Sequence, residues 1–154
     1  MPPPYGPHVR AWILKRHPRL TEAGYSETSD DSPRYNCIGW AAEDQANVWW
    51  PNGGGHWPCS QGEPRDESVG AFAALFAGQN YQPCGLDDAL EPGFEKVAIY
   101  EGTDRRVKHM ARQLRSGRWT SKLGDGWDIE HVALSGLEDD RYGQVRLILK
   151  RPIP

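Results

Sequence analysis

The order of patterns along the chain predicts an α+β domain, with N-terminal helices packed on a small antiparallel β-sheet. Three observations carry this expectation. Helical periodicities fall in the first half of the sequence. The second half is a series of short segments rich in β-branched and aromatic residues, separated by turn clusters. The length, 154 residues, suits a single domain over 1–154 rather than two.

Taken in order, the Pro-rich start "MPPPYGP" reads as a flexible tail over residues 1–7. A short helix follows from about His8 to Lys15, where Val9, Trp12, Ile13 and Leu14 make an apolar face. Residues 21–34, "TEAGYSETSDDSPR", are polar and turn-forming, and predict a loop. From Cys37 the pattern turns helical, with Asn36 placed to cap the N-terminus and an end expected near Gln45. The next stretch, "NVWWPNGGGHWPCSQGEPRD", holds three consecutive glycines and three prolines, which exclude regular structure over most of it. "ESVGAFAALFAG", 67–78, predicts a second helix with Val69, Phe72, Ala73 and Phe76 on one side. Four mostly antiparallel strands are then expected in "FEKVAIYEG", "VKHMARQL", "GRWTSKLG" and "YGQVRLILKR", with the helices covering one face of their sheet. "DIEH" reads as a capped helix start with His131 at the surface, and "LEDD" as a solvated turn.

Composition narrows the function classes. Seven Trp, six Tyr and three Phe supply a large apolar payload, so the chain has the means to fold. A net charge of −3 with both signs interspersed gives no electrostatic footprint for nucleic acid and no polybasic membrane patch. No run approaches the roughly 18 apolar residues that span a bilayer, and the N-terminus lacks the apolar core of a signal peptide, so a cytoplasmic location is the expectation, with delivery by a specialised secretion route as the alternative. Three cysteines, Cys37, Cys59 and Cys84, cannot all pair within one chain. His56 and Cys59 in "HWPC", completed by Cys84 or Cys37, offer a zinc site, but the paired ligand knuckles of a structural zinc site are missing, and neither metal nor cofactor is expected.

The second and third of these four strands are joined by Arg115-Ser116-Gly117, a three-residue hairpin with Gly at the position that takes a left-handed backbone. If Leu114 pairs with Arg118, Gln113 lies opposite Trp119, and His109 shares a face with Ser121, its diagonal neighbour. A histidine and a hydroxyl are thereby set side by side.

A cysteine opening a helix, then a strand, then a strand carrying His, then a hairpin partner with a polar residue 12 positions on, resembles the papain-like cysteine peptidases of the NlpC type. "HMARQLRSGRWTSK" can be laid beside their "HVGIYLGDGxFIHA" without a gap. The words "YNCIGWA", "FEKVAIY", "RWTSKLG" and "DIEH" also resemble those of a bacterial domain family of unknown function. The first resemblance implies a papain-like fold and a hydrolase, whether peptidase, amidase or glutamine deamidase, acting on a peptide or protein amide. Cys37 would be the nucleophile, its thiol pKa lowered by the helix N-terminus and by an imidazolium. His109 would be the base, and Ser121 would stand in the orienting position where that family usually has His, Asn, Asp or Gln. Asp128 or Glu130 could orient His109 instead if the following loop folds back. The Cys37 backbone N–H and the Asn36 amide would meet the oxyanion. Ser121, a weaker acceptor than the usual residue, keeps an alternative open: a catalytically inactive papain-like binding module.

Overall fold

The computed structural model describes residues 6–58, 64–124 and 126–154. Among them the chain forms α1 (Pro7–Arg16), α2 (Leu20–Ala23), β1 (Tyr25–Ser29), α3 (Cys37–Ala41), α4 (Val69–Ala77), β2 (Gln82–Pro83), β3 (Phe94–Glu101), β4 (Val107–Gln113), β5 (Trp119–Lys122), β6 (Asp128–His131), a 3-10 turn (Leu134–Leu137) and β7 (Gln144–Pro152). The α+β expectation holds. The strands make one antiparallel sheet in the order β1-β6-β5-β4-β3-β7-β2. All four expected strands are present, and the hairpin register is as read from sequence: Gln113 pairs with Trp119, and Gly117 has φ +91.

The sheet is covered on both faces, not one. On the first face α3 and α4 place Ile38, Phe72, Leu75 and Phe76 against Val97, Ile99, Met110 and Leu149. On the second, α1, α2 and the 3-10 turn place Val9, Ile13, Leu20, Leu134 and Leu137 against Ala98, Tyr100, Ala111, Ile129 and Ile148. A strand buried on both sides has no need of polar alternation. That is why the centre of β3 reads "VAIY", with Val97 through Tyr100 all buried.

Four expectations are corrected. Pro7 belongs to α1, where a proline at the first turn loses no helical hydrogen bond, so the tail is shorter than 1–7; residues 1–5 lie outside the described chain. The segment 21–34 is not all loop. It completes α2 and then forms the edge strand β1, paired with β6 from Tyr25↔His131 to Ser29↔Asp128. "DIEH" is β6 itself, paired on both sides, and its polarity reflects the polar partners it finds there. Helix α3 stops at Ala41, because Glu43 adopts φ +62 and turns the chain toward the tryptophan loop. In that loop Trp49 and Trp57 are buried anchors, edge-on to His56 and Phe72 respectively.

Between the 3-10 turn and β7 the chain reverses through a tight turn, closed by Gly143 N–H to Asp139 O at 2.8 Å. Gly143 has φ +76, and a Cβ there would stand 2.0 Å from Glu101 O. Gly143→Ala should therefore cost about 3 kcal/mol or more, combining left-handed strain with a backbone clash. Gly53→Ala, at φ +64 with nothing within 4 Å, should cost only about 1 kcal/mol. Urea unfolding of both variants checks the contrast.

Candidate functional site

Helix α3 begins where Asn36, in extended backbone, accepts the Gly39 N–H at 3.0 Å. The cap is as expected, but the side chain does more. Its Oδ1 also accepts from Trp49 N–H at 3.0 Å, and its Nδ2 donates to Trp49 O at 2.8 Å. The Asn36 amide thus ties the start of α3 to the tryptophan loop.

Cys37, next along, is 7% exposed and packs in the cluster with Ile38 and Met110 on the first face. Burial pushes its thiol up to about 11 from an ordinary 9.0. The Met110 and Ile38 backbone amides and the Lys122 ammonium pull in the other direction, and burial outweighs them. A helix N-terminus is present as the sequence suggested, with the Lys122 ammonium as the nearby cation rather than the expected imidazolium, but in a setting that keeps the thiol protonated.

His109 faces the opposite way. In β4 Met110 pairs with Ile99 on the first face, while His109 pairs with Tyr100, whose ring belongs to the second-face core. Successive residues of a strand point to opposite sides, so the Met110 and His109 side chains diverge. The Cys37 thiol meets the Met110 backbone amide, and its charge acts on Tyr142, the ring stacked on His109. No hydrogen bond joins Cys37 to His109, and the His109 Nδ1 has no hydrogen-bond partner among the described residues.

What His109 does meet is a buried polar layer. Its Nε2 lies 2.9 Å from Ser121 Oγ, the juxtaposition that the hairpin register predicted. Ser121 Oγ lies 2.8 Å from His131 Nε2, and His131 Nδ1 lies 3.0 Å from Ala133 O. The proton positions follow from the donor inventory. A carbonyl only accepts, so His131 Nδ1 carries the hydrogen and, in the neutral ring, Nε2 is bare. Ser121 Oγ–H donates to it, and the Ser121 oxygen accepts from His109 Nε2–H. His109 Nδ1 is then a bare, buried lone pair. The His109 ring lies flat on Tyr142, centroids 4.1 Å apart and planes at 5°, with Tyr100 edge-on at 5.2 Å. Tyr142 in turn packs on His17, whose Nδ1 meets Asp139 Oδ2 at 2.6 Å. Desolvation is the main cause that lowers both relay histidines, His131 to about 4 and His109 well below its ordinary range.

The alternative orienting residues do not reach His109. Asp128 pairs with Lys122 and Glu130 with Thr120, so both carboxylates lie on the α3 side. There Asp128 accepts from Tyr35 Oη at 2.7 Å and from Ser29 Oγ, and Glu130 faces Arg118 at 3.3 Å. His131 is the residue beside Ser121, buried and not on the surface. The period-two pattern of "DIEH" could have flagged it, whereas nothing local links His17, Asp139 or Tyr142 to His109. Cys84 packs with the second-face cluster and Cys37 with the first, so the two do not share a zinc site; Cys59 lies outside the described residues. Among the described residues no three His, Cys, Asp or Glu side chains gather as a metal site.

One cleft, of about 610 Å³, opens where β4 ends and β3 begins, lined by Leu90, Phe94, Leu114, Arg115 and Ile153 among others, and by neither Cys37 nor His109. Its carboxylates are neutralised: Glu43 faces Arg112 at 3.4 Å, Glu91 faces Lys150 at 2.9 Å, and Glu95 faces Arg151 at 2.5 Å. Arg115 has no ion-pair partner among the described residues.

Fold and site together define an α+β domain with a buried His-Ser-His relay and a buried cysteine that opens helix α3. Residues 26–150 match the model of a family described as a domain of unknown function (DUF7689), and the chain belongs to that family. The match spans every candidate residue from Asn36 to His131 but stops short of α1 and His17. No curated protein and no solved structure matches the chain. Among the described residues no helix is long and apolar enough to cross a membrane.

Ser121 holds two buried imidazoles at once. Ser121→Ala should cost about 2–4 kcal/mol, since both nitrogens lose their partner in a dry site, a loss read by urea unfolding at pH 7.5.

Proposed function

We propose that the domain is a non-catalytic binding module built on a papain-like order of elements. The order itself supports the second half of that reading, with the cysteine helix α3 followed by β3, the His109 strand β4 and the Ser121 strand β5. One observation supports the first half: no hydrogen bond joins the Cys37 thiol to His109, whose ring is held instead by Ser121 at Nε2 and by Tyr142 on its face. A thiol pushed up to about 11 is almost wholly protonated at neutral pH, and the protonated form is a poor nucleophile.

The cleft at the end of the sheet is where such a module takes its ligand. Its volume falls in the range of small-molecule sites, its walls include Leu90, Phe94, Leu114 and Ile153, and Arg115 is the charge left over at its rim. The complementary ligand is an apolar or aromatic body carrying one anionic group.

Two measurements test the two halves. Iodoacetamide alkylation of Cys37 in the folded protein, followed by mass spectrometry, should be slow at pH 7, rise only toward pH 11, and be unchanged in His109→Ala. Fast alkylation below pH 7 that collapses in His109→Ala would restore the hydrolase reading. 1-Anilinonaphthalene-8-sulfonate, an aromatic anion, should bind at neutral pH with an affinity lost at least tenfold in Arg115→Glu and kept in Cys37→Ala. Binding insensitive to Arg115 would remove the cleft from the proposal.

A further inference from the structure

Three of the five histidines in the sequence, His17, His109 and His131, are buried, and all three lie in one layer between the sheet and the elements that cover its second face. The first face has no counterpart: the buried polar residues among those described include no other histidine, and His56 beside the α3–α4 core is exposed.

The layer is also the polar fastening of the cover. Working outward from the sheet, Ser121 and His109 hold His131 and the flat face of Tyr142. Tyr142 holds the His17 ring at the C-terminus of α1, and Asp139 closes on His17 from the same turn as Tyr142. His131 Nδ1–H donates to Ala133 O and Tyr100 Oη–H donates to Leu134 O at 2.7 Å, which fixes the start of the 3-10 turn. Gly136 in that turn packs so closely on α2 that a Cβ would stand 2.9 Å from Leu20 and 3.0 Å from Ala23. Helices α1 and α2, the 3-10 turn and the 139–143 turn are thus joined to one another and reach the sheet's polar groups through these rings.

The layer has little means of accepting added protons. His109 can gain one only at Nδ1, which has no hydrogen-bond partner among the described residues, in a ring packed against Tyr142 and Tyr100. His131 can gain one only at Nε2, where the Ser121 hydroxyl must then turn its own hydrogen away. The charged groups facing the layer do not help. Asp139 is already engaged by His17 and by the amides of Arg141 and Tyr142. Glu138 accepts the Val145 amide, and its charge acts on Tyr100 and not on the imidazoles. Arg118 and His17 both disfavour a positive charge on His131, and His131 and His17 disfavour one on His109. Tyr25 and Tyr100, from β1 and β3, bring only neutral phenols. No carboxylate among the described residues is hydrogen-bonded to either relay histidine.

We propose that this histidine layer is a proton-sensitive latch: protons taken up by His109 and His131 release the cover, residues 7–23 and 134–143, from the sheet while the α3–α4 face stays packed. The direction follows from linkage. A histidine held neutral in the closed state and free to titrate near its ordinary value in the open state makes opening take up a proton, so opening grows as pH falls. Two such groups make the opening equilibrium rise by up to about a hundredfold per pH unit below pH 6.

Hydrogen exchange read by mass spectrometry on the full chain at pH 7.5, 6.0 and 5.0, expressed as protection factors so that the intrinsic pH dependence is removed, tests this. Protection over 7–23 and 134–143 should collapse between pH 6.0 and 5.0, while α4, 69–77, keeps its own. His109→Phe retains a ring against Tyr142 and removes one titrating group, so its opening should rise only about tenfold per unit. Protection over 7–23 that is flat from pH 7.5 to 5.0 in the wild type would overturn the latch. So would loss of protection in α4 with the same pH dependence, since that describes global acid unfolding. The wild-type arms decide the matter even if His109→Phe does not fold.

Discussion

The pleat of β4 is the constraint on which the rest of this structure depends. Because β4 lies inside the sheet and both faces are covered, its side chains from His109 to Arg112, beyond the irregularity at Val107, serve the two sides in alternation. Met110 goes to the α3–α4 side and His109 to the α1–α2 side. A one-residue slip would exchange these assignments and drive Met110 and Arg112 into a polar layer built for imidazole, so the register is strongly specified. The helix that carries Cys37 packs on the Met110 side of that pleat.

The same alternation organises β5 and β6 into two polar systems back to back. Thr120, Lys122, Asp128 and Glu130 face α3, where Trp40 Nε1–H donates to Thr120 Oγ1 at 3.0 Å and the Lys122 ammonium stands over the Tyr35 ring. Ser121 and His131 face the other way. Buried polar groups are tolerated when their hydrogen bonds are made, and their geometry then fixes which partner sits where. One nitrogen lone pair and one N–H group converge on one serine with a single consistent proton arrangement, which ties β4, β5 and β6 to the 3-10 turn more specifically than apolar contact would.

Much of the fold was legible in the sequence because local signals and tertiary packing agree there. Asn36 caps the helix that its position announces, the four expected strands carry β-branched and aromatic residues, and the three-residue hairpin set the register that brings His109 to Ser121. The elements that were missed are those whose pattern depends on a partner. "YSETS" is polar because β1 is an edge strand, and "DIEH" is polar because its partners are Ser29, Lys122 and Ser121. The candidate site was half legible for a related reason. Spacing within a hairpin reports who is beside whom on a strand pair, but says nothing about which face a distant helix will choose. The Cys37 helix chose the first, where Trp40 finds Thr120 and Ile38 finds the apolar side of β3 and β4.

Consecutive letters in "YNCIGWA" each answer to a steric or hydrogen-bonding demand of the corner they form. Asn36 clamps Trp49 through both its main-chain groups, and Tyr35 anchors Asp128. At Gly39 a methyl group would stand 2.6 Å from Asn47 O, and the buried thiol of Cys37 fills its place beside Ile38 and Met110. A word of this kind is also a crowded join between a short helix and a long loop, and each letter is held there by a contact that a substitution would break. Relatives that keep it would share the joint, so the turn from α3 into the tryptophan loop is the corner of the fold least free to change.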